Sequence, residues 1–406
     1  MNKITKFTGM LFVAAIMTFA FSSESQAVPA FARQVGVSCT TCHFQHYPAL
    51  NAFGRAFKAS GYTQIGSQAQ IEYEGLSLPA TLNASLVTKI RLQQTDGDTK
   101  TGTDGDIGEL QFPDEAALLI GGRAGEHVGF LGEFALGNGV DSFTTFKMPF
   151  SFEVGPGHFE FVPYVTDALG ASVGFEVLNT GAVRNIRTFE ERDAVSAQQY
   201  IGTATAAKGF AFVYYTDMFH VNASLWGPDS SGTTPLNSLR NYRRVAATPQ
   251  VAGWDLGVGA QLWGGTTELA DSATTPTKFD SRATAIDFQA QGYVGAMPLG
   301  VYVTVGSADK SSASSTNLFN SSTTDATTAT AVSAELGVVP SKVTVGAGYR
   351  AGSKGGKSDT ANLIGATYQV AQNVQVQLNY MMLGGDAHSG TGVTKNQTTL
   401  MLFSAF

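Results

Sequence analysis

The sequence predicts a mainly β protein: an antiparallel outer-membrane β-barrel of about 16 strands, preceded by a small, largely helical segment. Three observations support this prediction. From residue 76 to residue 406, many short segments alternate apolar and polar residues without a sustained helical period. Clusters of Gly, Asp, Asn, Ser and Thr separate these segments, and short and long connections alternate along the chain. The chain ends on an alternating stretch that closes on Phe406, which resembles the assembly signal of outer-membrane barrels.

The alternation assigns the side chains of each strand to two faces. In the first strand, Leu86 is predicted to face lipid and Ser85 to face the lumen, and in residues 374–382 the same holds for Leu378 and Gln377. A soluble β-sandwich alternates in the same way, so alternation alone leaves both folds open. An export signal, aromatic residues at strand ends and the lack of a later apolar stretch long enough for a membrane helix favour the barrel.

The lengths of the connections predict the number of strands and their direction. Barrels of this kind have short periplasmic turns and longer external loops. About 340 residues follow Gly66, and a spanning strand takes ~9–11 residues, which accommodates about 16 to 18 strands. An even number places both ends of the barrel on the periplasmic side, and we predict 16. Residues 179–196 interrupt the pattern, either as a loop counted wrongly or as a strand that continues into the periplasm.

The first 27 residues have the composition of a secretory signal. Lys3 and Lys6 supply the positive start, residues 10–21 the apolar core, and residues 25–27 the small side chains for cleavage. We therefore expect an exported protein with three regions: a signal peptide at 1–27, the helical segment at 28–75 and the barrel at 76–406.

The helical segment carries a CxxCH motif, the attachment sequence of a c-type haem, at Cys39, Cys42 and His43. Two thiols at this spacing can each add to a vinyl group of the porphyrin, and the adjacent His43 imidazole then lies against the iron as an axial ligand. These are the only two cysteines in the chain. The other interpretations are an accidental match or a CxxC redox disulfide, which needs a βαβ setting and no following His. The motif therefore predicts one covalently bound haem.

The sequence leaves the sixth ligand of the haem iron open. His46 lies only three residues from His43 and cannot easily reach the opposite face of the haem. No methionine lies between Val28 and Gly66, so the ligand is a barrel residue, a local atom or water. About forty residues are too few to enclose a haem alone, because chains this short usually need help to fold. We therefore expect the haem to lean on the barrel.

The charge pattern gives no reason to expect a nucleic-acid partner. The formal net charge is −7 and charged residues make up 14% of the chain, which suits a protein with a large lipid-facing surface. Four aspartates between residues 95 and 106 lack the closing Glu of a calcium loop, so a solvated surface loop is favoured over a cation site. The basic residues predicted to line the lumen are Lys89, Arg91, Lys147, Arg240, Arg243 and Arg244. The histidines that show no metal-ligand spacing are His127, His158, His220 and His388.

The segment around the motif resembles a known family. The stretches that carry the resemblance read VPAFARQ and CTTCHFQHYPALNAFGRAFKASGY, and they are similar to the N-terminus of the fused cytochrome–porin iron oxidases of iron-oxidising bacteria. The resemblance is close from Val28 to about Gly66, and beyond that it covers chain length, barrel pattern and the terminal Phe. It implies one c-type haem, held by Cys39, Cys42 and His43, in front of an outer-membrane barrel of about 16 strands.

The same resemblance implies a function. A protein of this family is an Fe(II):cytochrome c oxidoreductase, which takes electrons from extracellular Fe(II) and passes them to a periplasmic c-type cytochrome. The expected location is the bacterial outer membrane, with its lipid around the barrel and the haem segment on the periplasmic or lumen side. The alternatives are a passive porin with a haem-bearing plug, a mono-haem porin with another electron donor, and a periplasmic cytochrome that uses the barrel as its anchor.

Overall fold

Sixteen antiparallel strands close into a barrel in the computed structural model of the chain. The structure describes residues 29–74, 76–96, 107–136, 144–184, 196–230, 232–269, 277–390 and 393–406. The expected signal peptide at 1–27 lies outside the described residues, as do Val28 and residues 97–106 of the aspartate-containing connection. The 16 strands of the closed barrel confirm the predicted number.

The strands of the first half are β1 (Ala84–Thr95), β2 (Ile107–Gly125), β3 (Val128–Ala135), β4 (Thr145–Lys147 and Phe150–Val154), β5 (Gly157–Thr166), β6 (Ala207–Tyr215), β7 (Phe219–Gly227) and β8 (Arg240–Ala247 and Gln250–Val251). The strands of the second half are β9 (Trp254–Gly264), β10 (Ala283–Val294), β11 (Met297–Ala308), β12 (Thr327–Val339), β13 (Val343–Lys354), β14 (Lys357–Ala371), β15 (Val374–Gly384) and β16 (Asn396–Ala405). Both parts of β4 pair with β3 and β5. In β8, Arg240–Ala247 pairs with β7 and β9, whereas Gln250–Val251 pairs with β9 alone. Pairing of β16 with β1, from Gln397 opposite Thr95 to Ala405 opposite Val87, closes the barrel.

The side chains alternate between lumen and exterior as the sequence predicts. Successive residues of a strand point to opposite faces of the sheet, so one parity is apolar and exposed and the other is enclosed. In β15, Leu378 is 37% exposed on the outer face, whereas Gln377 is 0% exposed. In β1, Ser85 is buried and Leu86 is only partly so. The two faces assigned from the sequence are confirmed.

One predicted lumen residue faces outward. Arg240 and Arg244 are buried in the lumen, as are Lys89, Arg91 and Lys147. Arg243 is exposed on the outer face, between the enclosed Tyr242 and Arg244. The prediction for Arg243 was wrong because adjacent residues of a strand cannot share a face, so Arg243 and Arg244 had to be separated.

The two ends of the barrel differ in their connections. At one end, seven short turns join the strands, at residues 126–127, 155–156, 216–218, 252–253, 295–296, 340–342 and 372–373. At the other end most connections are long, with the tight turn at 355–356 as an exception. Strands Thr266–Leu269, Thr277–Asp280 and Thr316–Asn317 pair into a small extra sheet within the long connections. We refer to these as the short-turn end and the long-connection end.

The described parts of the connection between β5 and β6, residues 167–184 and 196–206, fold back into the lumen. It contains a 3-10 turn at Ala171–Gly174 and a short helix, Ala197–Tyr200, and its residues 185–195 lie outside the described residues. Thr180 donates a hydrogen bond to Asp287 of β10 (2.8 Å), and Asn222 of β7 donates to the Phe175 carbonyl (3.3 Å). Residues 179–196, which interrupted the predicted pattern, belong to this inward connection. It begins and ends at the long-connection end.

The N-terminal segment, residues 29–66, packs against the barrel near its short-turn end. Its helices are α1 (Ala30–Val35), α2 (Cys39–Cys42) and α3 (Ala52–Ala59). The Asn51 side chain caps α3 by accepting a hydrogen bond from the Gly54 N–H at 3.0 Å. A hairpin, Gln70–Tyr73 with Leu76–Pro79, then leads into β1. Within the described part of the chain, no helix is long and apolar enough to cross a membrane.

Candidate haem site

Helix α2 presents both cysteines, and His43 follows at its C-terminal end. Both thiols are free and partly buried. Burial raises the pKa of both thiols, so each sulfur keeps its proton near neutral pH. The backbone N–H of Cys39 donates a hydrogen bond to Gln372 Oε1, in the turn between β14 and β15, at 3.2 Å. This contact fixes the start of the motif against the short-turn end of the barrel.

The His43 ring is held by aromatic packing. It makes an edge-on contact with Tyr47, with ring centroids 5.2 Å apart. Tyr47 in turn stacks on Phe403 of the closing strand β16 at 4.9 Å. Burial lowers the pKa of His43 to about 4, so the imidazole is neutral at physiological pH. A neutral imidazole has a free lone pair, which is the form that binds a metal ion.

The motif opens into a cavity of about 310 Å³ between the N-terminal segment and two short turns. Cys39 and His43 line one side, and Lys342, Gln369 and Gln372 line the other. His43 Nδ1 and Gln369 Oε1 are buried without a hydrogen-bond partner among the described residues. Cys39 and the neutral His43 imidazole lie beside this cavity with orphaned polar atoms, and Cys42 lies on the same helical turn as Cys39. This arrangement of residues fits a covalently attached haem.

His46 is held by other groups and does not present a nitrogen to this cavity for ligation. Its Nδ1 lies 2.8 Å from the Tyr47 carbonyl oxygen, and its Nε2 lies 2.6 Å from Glu335 Oε2. Both nitrogens are therefore engaged. The side chains of this pair are almost fully buried, at 1% and 0% exposure.

The Glu335 carboxylate begins a chain of hydrogen bonds along the inner wall, over the neighbouring strands β12, β11, β10 and β9. Tyr302 donates to Glu335 Oε1 at 2.6 Å, and Gln291 donates to the Tyr302 hydroxyl at 3.3 Å. Arg55 of α3 contacts Gln291 Oε1 at 3.4 Å and pairs with both oxygens of Asp255, at 2.6 and 2.7 Å. The N-terminal segment is thus joined to the wall at two contacts, the buried His46–Glu335 hydrogen bond and the partly buried Arg55–Asp255 ion pair. The sequence analysis did not identify these wall residues, and strand parity was the only available signal.

The N-terminal segment meets the inward connection near the middle of the lumen. Asn179 and Leu50 exchange two hydrogen bonds, at 2.9 and 3.0 Å. Beside this contact, Arg244 pairs with Glu176 of the inward connection at 2.5 Å and with Asp287 at 2.7 Å. A cavity of about 220 Å³ remains between the two bodies. Both bodies therefore occupy the lumen and contact each other and the wall.

The scattered histidines do not converge. Among the described residues, no group of three or more His, Cys, Asp or Glu side chains is placed to hold a metal ion. His158 stacks on Tyr215 at 4.9 Å, and His388 lies 3.3 Å from Asp359. Asp96, at the start of the aspartate-containing connection, accepts hydrogen bonds from the backbone and side chain of Asn396.

The fold and the site define the class of protein: a porin-type barrel whose lumen holds a segment with a CxxCH motif. No protein-family model matches the chain, and a search of curated proteins finds no match. The chain is similar to OmpF of Salmonella typhi, solved with daunomycin, at 12% identity and a TM-score of 0.50, over 83% of this chain and 100% of OmpF. It is also similar to OmpT of Vibrio cholerae in its trimer form, at 14% identity and a TM-score of 0.49, over 80% of this chain and 99% of OmpT. The likeness to OmpF shows the barrel fold.

Proposed function

We propose that this protein lies in the bacterial outer membrane and conducts single electrons from extracellular Fe(II) to a periplasmic c-type cytochrome. The observation that carries the proposal is the position of the CxxCH turn. Cys39 and His43 line a cavity at the short-turn end of a porin-type barrel, which is the periplasmic end in outer-membrane barrels. The proposal assigns the chain to the cytochrome–porin class that its N-terminal segment resembles.

The residues of the chain supply attachment, orientation and exclusion of water. In this proposal, Cys39 and Cys42 would hold a c-type haem covalently, and His43 would supply a nitrogen ligand to its iron. A c-type haem supplies one-electron oxidation and reduction when bound. Tyr47 packs against the His43 ring, and Phe403 stacks on Tyr47, so the two aromatic residues together keep the orientation of the imidazole. Burial, axial ligand and hydrogen bonding are the means by which a protein sets such a potential, and this site offers all three.

In this proposal the electron crosses the outer membrane through the barrel, and the iron stays outside the cell. Oxidation of Fe(II) to Fe(III) breaks no covalent bond and needs no catalytic acid or base. Its ferric product is insoluble near neutral pH, so the product is best formed outside the cell. The N-terminal segment and the inward connection, joined through Leu50 and Asn179, lie between the two ends of the barrel.

The competing function is a passive porin in which the N-terminal segment is only a plug. The Arg55–Asp255 ion pair and the His46–Glu335 hydrogen bond join the segment to the wall. The inward connection contacts the segment through Asn179 and Leu50. Wide solute passage would require both bodies to leave the lumen. This observation favours electron transfer over diffusion of solutes.

The test uses purified, haem-loaded protein. Adding Fe(II) at neutral pH should produce the absorbance of reduced c-type haem, with dithionite as the positive control. In vesicles that enclose a soluble cytochrome c, external Fe(II) should reduce the enclosed acceptor. The matched control is the Cys39→Ala, Cys42→Ala variant, which retains the barrel. A haem that dithionite reduces and Fe(II) does not would reject Fe(II) as the donor.

A further inference from the structure

A second cavity, of about 720 Å³, lies at the short-turn end between α3 and strands β5 to β9. The CxxCH motif opens into a different cavity, and no described residue lines both. The exposed Asp217 and Gln250 lie at the edge of the second cavity, so it opens at the short-turn end. Its volume is in the range of pockets that bind small organic molecules, about 300–1,000 Å³.

Aromatic side chains from three neighbouring strands form one wall of this cavity. Strand pairing places Tyr215 of β6 opposite both His158 of β5 and His220 of β7. Residues opposite each other in adjacent strands point to the same face of the sheet, and the buried His220 marks it as the lumen face. His158 stacks on Tyr215 at 4.9 Å between ring centroids. Phe175 of the inward connection extends the wall, because its ring lies 5.8 Å from Tyr215 and 5.4 Å from His220.

Helix α3 supplies small side chains to the other wall. Ala52, Ala56 and Ala59 line the cavity, and Ala56 is exposed. Their spacing of four and three residues places them on one face of the helix. Methyl groups on one side and aromatic rings on the other suit a flat, apolar ring.

The aromatic wall contains one polar atom without a partner. His220 is 2% exposed, and its Nε2 has no hydrogen-bond partner among the described residues. A buried polar atom without a partner is costly, so a ligand that forms a hydrogen bond with it is stabilised. An imidazole nitrogen donates or accepts according to its tautomer. A ligand hydroxyl can pair with either form, and a ligand carbonyl can pair with the donor form.

The charges around the cavity favour a neutral ligand. Arg55 Nη2 donates to both oxygens of Asp255, at 2.6 and 2.7 Å, so these two lining charges compensate each other. The exposed Asp217 at the edge disfavours anions by Coulomb repulsion. No group of three or more His, Cys, Asp or Glu side chains in the described ranges is placed to hold a metal ion, which favours an organic ligand.

We propose that this cavity binds a neutral aromatic small molecule with a hydroxyl or carbonyl group, such as a phenol or a quinone. The ring lies between α3 and the aromatic wall, and the polar group forms a hydrogen bond with His220 Nε2. The inference goes beyond the proposed function, because it depends neither on the haem at Cys39 and Cys42 nor on Fe(II) as the donor.

Calorimetric titration of the full-length, haem-loaded protein in lipid nanodiscs tests the proposal, with empty nanodiscs as the blank. The probes are 2-naphthol and 1,4-naphthoquinone, and naphthalene serves as the ring without a polar group. At least one polar probe should bind saturably, and naphthalene should bind more weakly. His220→Phe keeps an aromatic ring and removes the nitrogen, so the affinity for that polar probe should fall about ten-fold. The affinity for naphthalene should not fall.

A second variant tests the cavity from the side of α3. Ala56→Trp fills the space opposite the aromatic wall and should abolish binding of every probe. The matched controls are Phe53→Trp, at an exposed position of the same helix, and His127→Phe, at an exposed histidine of a short turn. Neither control residue lines the cavity, so both variants should bind the probes as the wild type does. Heat-modifiable mobility verifies that each variant has folded.

Three results would overturn the proposal. The first is the absence of saturable binding of both polar probes, and the second is unchanged binding of the polar probes in His220→Phe or Ala56→Trp. The third is binding to the Cys39→Ala, Cys42→Ala variant but not to the haem-loaded protein, because the cofactor would then occupy this cavity. Oxidation of Fe(II) is measured separately, by reduction of the haem, so failure of this inference is distinguishable from failure of the proposed function.

Discussion

At the scale of single residues, Glu335 is a carboxylate enclosed in the lumen, with an exposure of 1%. Its carboxylate is fully enclosed, pairs with His46 at 2.6 Å and accepts the Tyr302 hydroxyl at 2.6 Å. Both His46 nitrogens face oxygen atoms. Removing one partner of a buried pair leaves the other polar groups without water or hydrogen bonds, which is costly.

Glu335→Ala should therefore destabilise the folded protein by about 3–5 kcal/mol. Glu335→Gln should cost less, because a glutamine amide can accept from Tyr302 and donate to a neutral His46. Denaturant unfolding in detergent micelles, followed by tryptophan fluorescence, measures both effects. Equal stability of the Ala variant and the wild type would show that the pair does not fasten the N-terminal segment to the wall.

The cysteines give a second prediction at the same scale. Each thiol supplies one thioether bond, so Cys39→Ala or Cys42→Ala should weaken covalent haem incorporation, and the double variant should abolish it. His43→Ala should leave at best a misligated haem. Haem staining after denaturing electrophoresis measures attachment, and heat-modifiable mobility verifies that the barrel has folded. Covalent haem at the wild-type level in the double variant would contradict the assignment of the motif.

At the scale of strands, the sequence predicts which side chains face the lumen and which face outward. Side-chain alternation has a period of two residues, so the inner and outer faces of β1 and β15 follow directly from residue order. Arg243 was placed wrongly because it was grouped with Arg240 and Arg244 by charge, whereas parity separates it from Arg244. Element bounds and faces are local properties, and local patterns are sufficient for them.

The lipid face can be tested in β15, where two adjacent residues face opposite ways. Leu378→Lys should lower the yield of folded barrel in bilayers, because a lysine on the lipid face near mid-membrane costs about 2–4 kcal/mol. Gln377→Lys places the same charge in the lumen at a side chain of similar size, and it should be better tolerated. Equal losses in both variants would show that the exposed face of β15 does not face lipid.

The inward connection shows where local patterns are insufficient. Its length is visible in the sequence, but its direction depends on contacts with residues far along the chain. Thr180 bonds Asp287, and Asn179 bonds Leu50. None of these pairs lies close in sequence, so no turn or period signals them. The CxxCH motif was recognisable because its chemistry is contained in five consecutive residues, whereas Glu335 joins the N-terminal segment only through the closed barrel.

At the scale of the whole molecule, the lumen holds two bodies that enter from opposite ends. The N-terminal segment is too short to fold around a cofactor alone, and the wall completes it through Arg55–Asp255 and His46–Glu335. The inward connection meets it from the long-connection side and pairs with Arg244. The barrel therefore encloses the N-terminal segment, and in the proposed function this filled lumen distinguishes it from an open diffusion channel.

The conductance of single molecules in planar bilayers distinguishes these two roles. Wild-type protein should conduct far less than an open barrel of 16 strands, because both bodies occupy the lumen. Breaking both wall contacts of the N-terminal segment, in the Asp255→Ala, Glu335→Ala variant, should raise the conductance or produce frequent openings. The control is Asp359→Ala, which removes an ion pair with Arg350, 3.0 Å long, that joins two wall strands and does not involve the segment. This control should leave conductance low.

A large, steady conductance of the wild type would instead favour a passive porin, because it would show that the two bodies in the lumen do not block the diffusion of ions.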